Sequence, residues 1–190
     1  CMSLIGIARE SAVTFDAPLT LPEIHVHESD GRVEDYVSVT VDDAALCPRY
    51  CARVVKNIRL APSPAWMQRA LRGAGVRPIN NVVDITNYVM LEQGQPMHAF
   101  DYACIRGSHI TVRRSQESDV FTTLDGKEHA LSMRPLCICD DEGVIGLAGI
   151  MGGQNSEITE HTQTVVLESA VFNGACLRAS ARALGMRTEA

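Results

Sequence analysis

From His109 onward, the sequence alternates between short apolar runs rich in β-branched residues and clusters of turn-forming residues. Runs of this kind predict strands, and the turns between them favour pairing of neighbouring strands. Asp125-Gly126 is a residue pair suited to a tight hairpin. We place strands at residues 36–41, 50–60, 109–114, 120–124, 136–139, 144–150 and 164–167. A chain with this pattern must build most of its second half from β-sheets.

Helical spacing of apolar residues accompanies these strands. Ser63 before Pro64 predicts a helix N-cap, and Gly94 and Gly185 are suited to end helices. The predicted helices cover residues 4–12, 63–75, 81–92 and 173–184. Together the elements predict an α+β fold with mixed or antiparallel β-sheets, a sandwich-like core and packed helices. The polar stretch before residue 35 predicts a boundary between an N-terminal helix with its connection (1–35) and a larger domain (36–190).

Composition narrows the class of protein. A chain of 190 residues with 46% hydrophobic content can bury a core, and a net charge of −6 argues against an extended basic face that coats nucleic acid. Seven cysteines without a disulfide-framework spacing favour a reducing, cytoplasmic location. No apolar run approaches the roughly 20 residues that span a bilayer, so we expect no membrane partner. Both ends run directly into helical patterns, which is typical of an excised fragment.

Polar residues set into apolar surroundings are candidates for a binding pocket. His98 follows a turn that contains Pro96, and it could bind a ligand, position a water or shuttle a proton. It could equally be a structural histidine at the end of a loop. Thr86 and Asn87 could donate hydrogen bonds to a substrate, although a helical threonine bonded to its own turn would look the same.

Two further candidates lie near the ends of predicted strands. Gly152 and Gly153 could offer two N–H donors to a developing oxyanion, or could simply form a turn or bulge. Glu168 follows an apolar strand as a carboxylate in a mainly apolar segment. Charged groups are seldom buried without a partner or a task, but an exposed strand end is the alternative.

Three residue pairs have spacings that a metal site could use. They are His25 with His27, Cys137 with Cys139, and Cys47 with Cys51. None has the usual Cys-x-x-Cys spacing, so we expect no metal. Residues 140–142 form an acidic run that is typical of a solvated hairpin tip.

The sequence resembles the β subunit of bacterial phenylalanyl-tRNA synthetase along nearly its whole length. The resemblance rests on six stretches and the opening ten residues. These are Arg77-Pro78-Ile79-Asn80-Asn81-Val82-Val83-Asp84-Ile85-Thr86-Asn87-Tyr88-Val89-Met90-Leu91-Glu92, residues 94–101, Leu124-Asp125-Gly126, residues 148–153, Leu167-Glu168-Ser169-Ala170 and Ala181-Arg182-Ala183-Leu184-Gly185. It implies a fragment containing the module that inspects aminoacyl-tRNA after synthesis. Gln93 and Gly174-Ala175 are less typical of the family.

The resemblance also implies roles for the candidates. His98 matches a histidine that helps to hold the terminal adenosine of the tRNA, and Glu168 matches the carboxylate that recognises the hydroxyl of tyrosine. Thr86 and Asn87 would line the same pocket, and Gly152 would lie in its glycine wall. Accordingly, His98, Gly152 and Gly153 are the expected catalytic positions. The expected substrate-binding positions are Thr86, Asn87, Pro96 and Glu168.

The implied activity is hydrolysis of tyrosine wrongly esterified to tRNA(Phe). An apolar synthetic pocket rejects an added hydroxyl by only about a hundredfold, so a second site must remove the error. The implied partners are the acceptor end of tRNA(Phe), the tyrosine moiety, and an α subunit in an α2β2 heterotetramer. ATP and Mg²⁺ would serve the intact enzyme on the α subunit, and we expect no cofactor here. A non-catalytic module that cradles tRNA and a free-standing hydrolase are the alternatives.

Overall fold

The computed structural model describes residues 2–29, 31–124, 126–131 and 135–186. The chain divides into two compact units that interleave along the sequence. Unit 1 combines residues 1–32 with 61–97, and unit 2 combines residues 33–60 with 98–190. The predicted boundary after residue 35 lies near the first crossing between the units. The prediction of two consecutive segments differs from this division, because residues 61–97 form helices that pack with the N-terminal segment.

Within the described ranges, four α-helices form where the apolar spacing predicts them. They are α1 (Leu4–Thr14), α2 (Ala65–Gly73), α3 (Asn81–Gln93) and α4 (Gly174–Leu184). The described residues contain no helix that is long and apolar enough to cross a membrane.

Helix α3 confirms the prediction for a segment whose β-branched residues favour a strand. The side chain of Asn80 caps its start by accepting a hydrogen bond from the N–H of Val83 at 3.0 Å. Gly94 ends it with a φ of +79°, a left-handed conformation that glycine adopts without strain. The two caps define the ends of α3, although the β-branched residues inside it favour a strand.

Ser63 does not cap α2, so the predicted N-cap is wrong. The cap position is Pro64, which has no side-chain cap. The hydroxyl of Ser63 instead donates to the buried carboxylate of Asp84 at 2.5 Å. The other oxygen of Asp84 accepts from the N–H of Ile79 at 2.7 Å. A buried carboxylate needs donors, and this need takes precedence over the cap.

Ten strands form three sheets in the described part of the chain. Their bounds are β1 (Ser38–Val41), β2 (Arg49–Lys56), β3 (Met97–Asp101), β4 (His109–Arg114), β5 (Val120–Thr122), β6 (Glu128–Ala130), β7 (Leu136–Cys139), β8 (Val144–Leu147), β9 (Met151–Gly152) and β10 (Thr164–Val171). The sheets have the orders β1-β4-β7-β8-β9, β2-β10-β3 and β5-β6. Because β1 and β4 are parallel while β4-β7-β8-β9 are antiparallel, the largest sheet is mixed. Asp125, in the predicted hairpin turn, lies outside the described residues.

The main core of unit 2 contains residues from both larger sheets. Ile110 and Ile138 come from the five-stranded sheet, and Phe100 and Val166 come from the three-stranded sheet. A second core contains Cys137 and other residues that alternate with the first set along the strands, together with part of α4. The α+β class and the sandwich-like core are therefore confirmed.

Candidate active site

Strand β10 is eight residues long, and Glu168 lies in its interior. The side chain of Glu168 is buried. The expectation that it follows the strand end is therefore wrong, because β10 continues to Val171 in register with β2. The hydroxyl of Tyr50, in β2, donates to Oε2 of Glu168 at 2.8 Å. The structure thus places a phenol on the carboxylate for which the family resemblance implies recognition of the tyrosine hydroxyl.

Burial controls the protonation of this pair. Removal from water raises the pKa of Glu168 to about 7, and the hydrogen bond from Tyr50 acts in the opposite direction by lowering it. Burial and the adjacent carboxylate raise the pKa of Tyr50 well above its ordinary value, so its hydroxyl remains a donor. Burial, followed by the charge of Glu168, also raises the pKa of the Cys47 thiol. Near neutral pH, Glu168 therefore exists in both protonation states.

His98 lies in β3 and is partly buried. Its ring packs edge-to-face on Phe100, with centroids 4.6 Å apart and an interplanar angle of 76°. Burial lowers the pKa of the imidazole to about 4, so the ring is neutral near pH 7. A neutral imidazole can donate one hydrogen bond and accept another, which suits a group that orients water.

Gly152 provides the surface on which this ring rests. A β-carbon added at residue 152 would lie 2.6 Å from Nε2 of His98 and would overlap its Cε1. Both residues belong to unit 2. Only glycine at this position leaves room for the imidazole where it stands.

Glu168 and His98 project from the same side of the three-stranded sheet. Side chains two residues apart on a strand share a face. Glu168 is two residues after Val166, His98 is two residues before Phe100, and Val166 and Phe100 belong to the same core. The carboxylate and the imidazole therefore lie on one face of one sheet.

The backbone separates the roles of the two glycines. The N–H of Gly153 donates to the carbonyl of Ile145 at 2.9 Å, so it is not free to face an oxyanion. Gly152 pairs with Gly146, and hydrogen-bonded pairs alternate along an antiparallel ladder, so the N–H of Gly152 points away from β8. The N–H of Gly153 is thus used inside the fold, while the edge of Gly152 away from β8 faces Leu124, whose N–H donates to the carbonyl of Gly152 at 3.3 Å.

Gly153 has a packing role instead. A β-carbon there would lie 2.7 Å from the carbonyl oxygen of Ile145 and 2.7 Å from the ring of Phe121.

Thr86, Asn87 and Pro96 belong to unit 1. The hydroxyl of Thr86 donates to the carbonyl of Val83 at 2.8 Å, within its own helix, so its single proton is already used. Asn87 is partly buried on α3, and Pro96 is exposed in the connection between α3 and β3. In this arrangement the hydroxyl of Thr86 can act only as an acceptor, while the side-chain amide of Asn87 can both donate and accept.

The described residues contain no group of three or more His, Cys, Asp or Glu side chains that could hold a metal ion. Cys137 and Cys139 are buried, and burial raises the pKa of each thiol to about 12. Buried thiols in this state pack as small apolar groups.

Tyr50 is the site residue that sequence reasoning missed. The sequence predicts only that Tyr50 begins a strand, and Glu168 lies 118 positions further along the chain. The available signal was a phenol in a β-rich run together with a carboxylate that needs a donor. The pairing itself depends on the register between β2 and β10, which local patterns do not reveal.

Comparison with known proteins gives the family. The B3/4 domain family matches residues 46–190. Over all 190 residues the chain is 48% identical to the phenylalanine–tRNA ligase beta subunit of Syntrophus aciditrophicus, and it is 49% identical over 191 aligned residues to that of Clostridium acetobutylicum. In both cases it covers 24% of the relative, so the chain spans about a quarter of the length of these proteins.

A solved structure has a similar fold. It is an N-terminal fragment of the phenylalanyl-tRNA synthetase beta subunit from Pyrococcus horikoshii, with a TM-score of 0.55 and 18% identity. The match covers 96% of this chain and 56% of that fragment, and at this identity it supports the fold alone. The chain belongs to the B3/4 domain family and is similar over its whole length to the beta subunits of phenylalanine–tRNA ligases.

Proposed function

We propose that this chain hydrolyses tyrosine wrongly esterified to tRNA(Phe), as the editing module of a phenylalanyl-tRNA synthetase β subunit. The observation that carries the proposal is the buried carboxylate of Glu168, which already accepts a hydrogen bond from a phenol at 2.8 Å. A pocket that stabilises one phenolic hydroxyl in an apolar environment has the chemistry to select another.

Selection depends on the difference between tyrosine and phenylalanine, which is one hydroxyl. A site built to bind a hydroxyl discriminates strongly against the analogue that lacks it, because its polar group is left unpaired. Tyr50 already satisfies one oxygen of Glu168, so bound phenylalanine would leave one acceptor unpaired rather than a whole carboxylate. The expected preference for tyrosine is about 1–3 kcal/mol from this acceptor.

Hydrolysis of the ester needs a positioned water and stabilisation of the oxyanion. The neutral imidazole of His98 is suited to orient the water, and the N–H of Gly152 is the backbone donor for the oxyanion. No covalent protein nucleophile is required, because an aminoacyl ester is already activated. Gly153 supports this arrangement by packing, and Thr86, Asn87 and Pro96 remain predicted substrate contacts.

The relatives are named as beta subunits of a ligase, which supports a role for this chain within a larger assembly. In the proposed enzyme, this segment receives the acceptor end of tRNA(Phe) and acts within an α2β2 heterotetramer. ATP and Mg²⁺ would serve aminoacylation on the α subunit. The editing reaction itself consumes only water.

Single-turnover deacylation tests the function. The chain, in excess over radiolabelled Tyr-tRNA(Phe) or Phe-tRNA(Phe), should release tyrosine faster than phenylalanine and faster than the uncatalysed ester. A mobility-shift assay of the same samples measures tRNA binding. Binding without accelerated release would support the non-catalytic module and contradict the proposal.

A further inference from the structure

We propose that Tyr50 is a positioning and specificity-determining residue: its hydroxyl holds Oε2 of Glu168 and leaves Oε1 as the acceptor for the phenolic hydroxyl of the substrate. This inference rests on the proposed function and deepens it. Tyr50 acts through Glu168 and does not need to contact the reacting ester.

The register of the two strands makes the contact possible. Ala52 in β2 lies directly opposite Glu168 in β10, and Tyr50 lies opposite Ala170. Tyr50 is therefore the diagonal neighbour of Glu168, within reach of a long aromatic side chain. The small side chain of Ala52 leaves space for the ring to lean across and bring its hydroxyl to Oε2.

The two oxygens of Glu168 have different surroundings. Oε2 accepts the hydroxyl of Tyr50, while no residue in the described part of the chain donates a hydrogen bond to Oε1. An ionised carboxylate accepts at both oxygens. With one oxygen held on the β2 side, the side chain is restrained and its second oxygen is presented to a ligand. A restrained acceptor recognises a hydroxyl better than a mobile one, because less side-chain entropy is lost on binding.

The same hydrogen bond affects the charge of the acceptor. The titratable groups near Glu168 are the Tyr50 hydroxyl on β2, the Cys47 thiol just before β2, and neutral His98 on the same face of the sheet. Of these three, the Tyr50 hydroxyl is the one that shifts the pKa of Glu168. Burial raises the pKa of Glu168, and the Tyr50 hydrogen bond opposes that rise. Tyr50 therefore keeps a larger fraction of Glu168 ionised at neutral pH, where the ionised form is the stronger acceptor.

The test is the Tyr50→Phe variant, which removes one oxygen and leaves the ring. The first readout is the pKa of Glu168, which is measured by NMR titration of carboxyl-labelled glutamate. The second readout is the ratio of the dissociation constants of phenylalaninamide and tyrosinamide. Both ligands lack the ester bond, so the site cannot hydrolyse them during the measurement. We expect the Glu168 pKa to rise in the variant and the preference for tyrosinamide to fall about tenfold at pH 7, the effect of losing one hydrogen bond to a charged group.

Tyr102→Phe is the matched control. Its hydroxyl donates to the Tyr36 carbonyl at 3.1 Å and lies 3.2 Å from the hydroxyl of Ser108, and neither bond involves Glu168. This variant should lose comparable stability and keep both the Glu168 pKa and the ligand preference. An unchanged pKa or an unchanged preference in Tyr50→Phe overturns the inference. Failure of the wild-type chain to deacylate Tyr-tRNA(Phe) would instead contradict the proposed function, since neither readout here depends on hydrolysis.

Discussion

The imidazole of His98 rests directly on the Cα of Gly152, so closely that a β-carbon at residue 152 would lie 2.6 Å from Nε2. His98 lies in the three-stranded sheet, and Gly152 lies in the edge strand of the five-stranded sheet. The contact joins the proposed water-orienting group to the proposed oxyanion donor. Their relative position is therefore fixed by van der Waals packing as well as by the fold.

Gly152→Ala should displace His98 and slow deacylation. The new methyl group cannot fit beside the ring, and a misplacement of about 1 Å can cost about a hundredfold in rate. We expect single-turnover deacylation of Tyr-tRNA(Phe) to fall at least about tenfold. Gly73→Ala is the control, because a β-carbon there meets no atom within 4 Å. If Gly152→Ala deacylated Tyr-tRNA(Phe) at the wild-type rate, the position of His98 would not affect the deacylation rate.

The preference for tyrosine should depend on pH through Glu168. Its pKa is about 7, so the ionised acceptor is lost as the pH falls through that value. His98, with a pKa of about 4, stays neutral from pH 5.5 to 8.5 and should contribute no change over that range. The ratio of tyrosine to phenylalanine release should therefore rise between pH 6 and 8. Glu168→Gln, which has no titrating group there, should give a flat ratio, and a steep one would assign the titration to another residue.

Glu168 and His98 should affect the free energy of unfolding in opposite directions. The folded-state pKa of Glu168 is raised from 4.5 to about 7, so the folded state binds more protons and stability falls as the pH rises through that window. The pKa of His98 is lowered from 6.5 to about 4, so stability falls as the pH drops from 6.5 towards 4. Each effect is on the order of 3 kcal/mol at most, and the two partly cancel in the wild-type chain.

Single variants should separate these effects. Glu168→Gln leaves His98 acting alone, so its free energy of unfolding should fall from pH 6.5 to 4.5. His98→Gln leaves Glu168 acting alone, so its free energy of unfolding should rise over the same interval. Urea unfolding at several pH values measures both slopes. Parallel curves for the two variants would rule out opposite roles for the two groups.

Ser63→Ala should destabilise unit 1. The variant removes a hydrogen bond to the carboxylate of Asp84, which is 1% exposed, and leaves it with the Ile79 N–H as its described donor. Loss of a partner to a buried charged group costs about 1–3 kcal/mol. Ser11→Ala, at an exposed position of α1, should change the free energy of unfolding by less than about 0.5 kcal/mol. Equal effects of both substitutions in denaturant titrations would contradict this role of Ser63.

Local patterns predicted the four helices and seven of the ten strands in the described residues, but they missed β3, β6 and β9. Asn81–Gln93 was identifiable as a helix because its rows of apolar residues and the glycine after it outweigh its β-branched content. Ser63 shows the limit of such reasoning, since its bond to Asp84 comes from a residue 21 positions away. The same limit concealed Tyr50 and the true position of Glu168 inside its strand. Strand register between distant segments is a property of the folded chain.

The role of Glu168 in selecting tyrosine is tested by the ratio of deacylation rates for Tyr-tRNA(Phe) and Phe-tRNA(Phe), measured for the wild-type chain and for Glu168→Ala. The proposed role of Glu168 predicts a clear wild-type preference for tyrosine that collapses in the variant by about tenfold or more, because the acceptor for the phenol is gone. Release of phenylalanine should rise, because bound phenylalanine no longer leaves an acceptor of Glu168 unpaired. An undiminished preference for tyrosine in Glu168→Ala would show that Glu168 does not select the substrate.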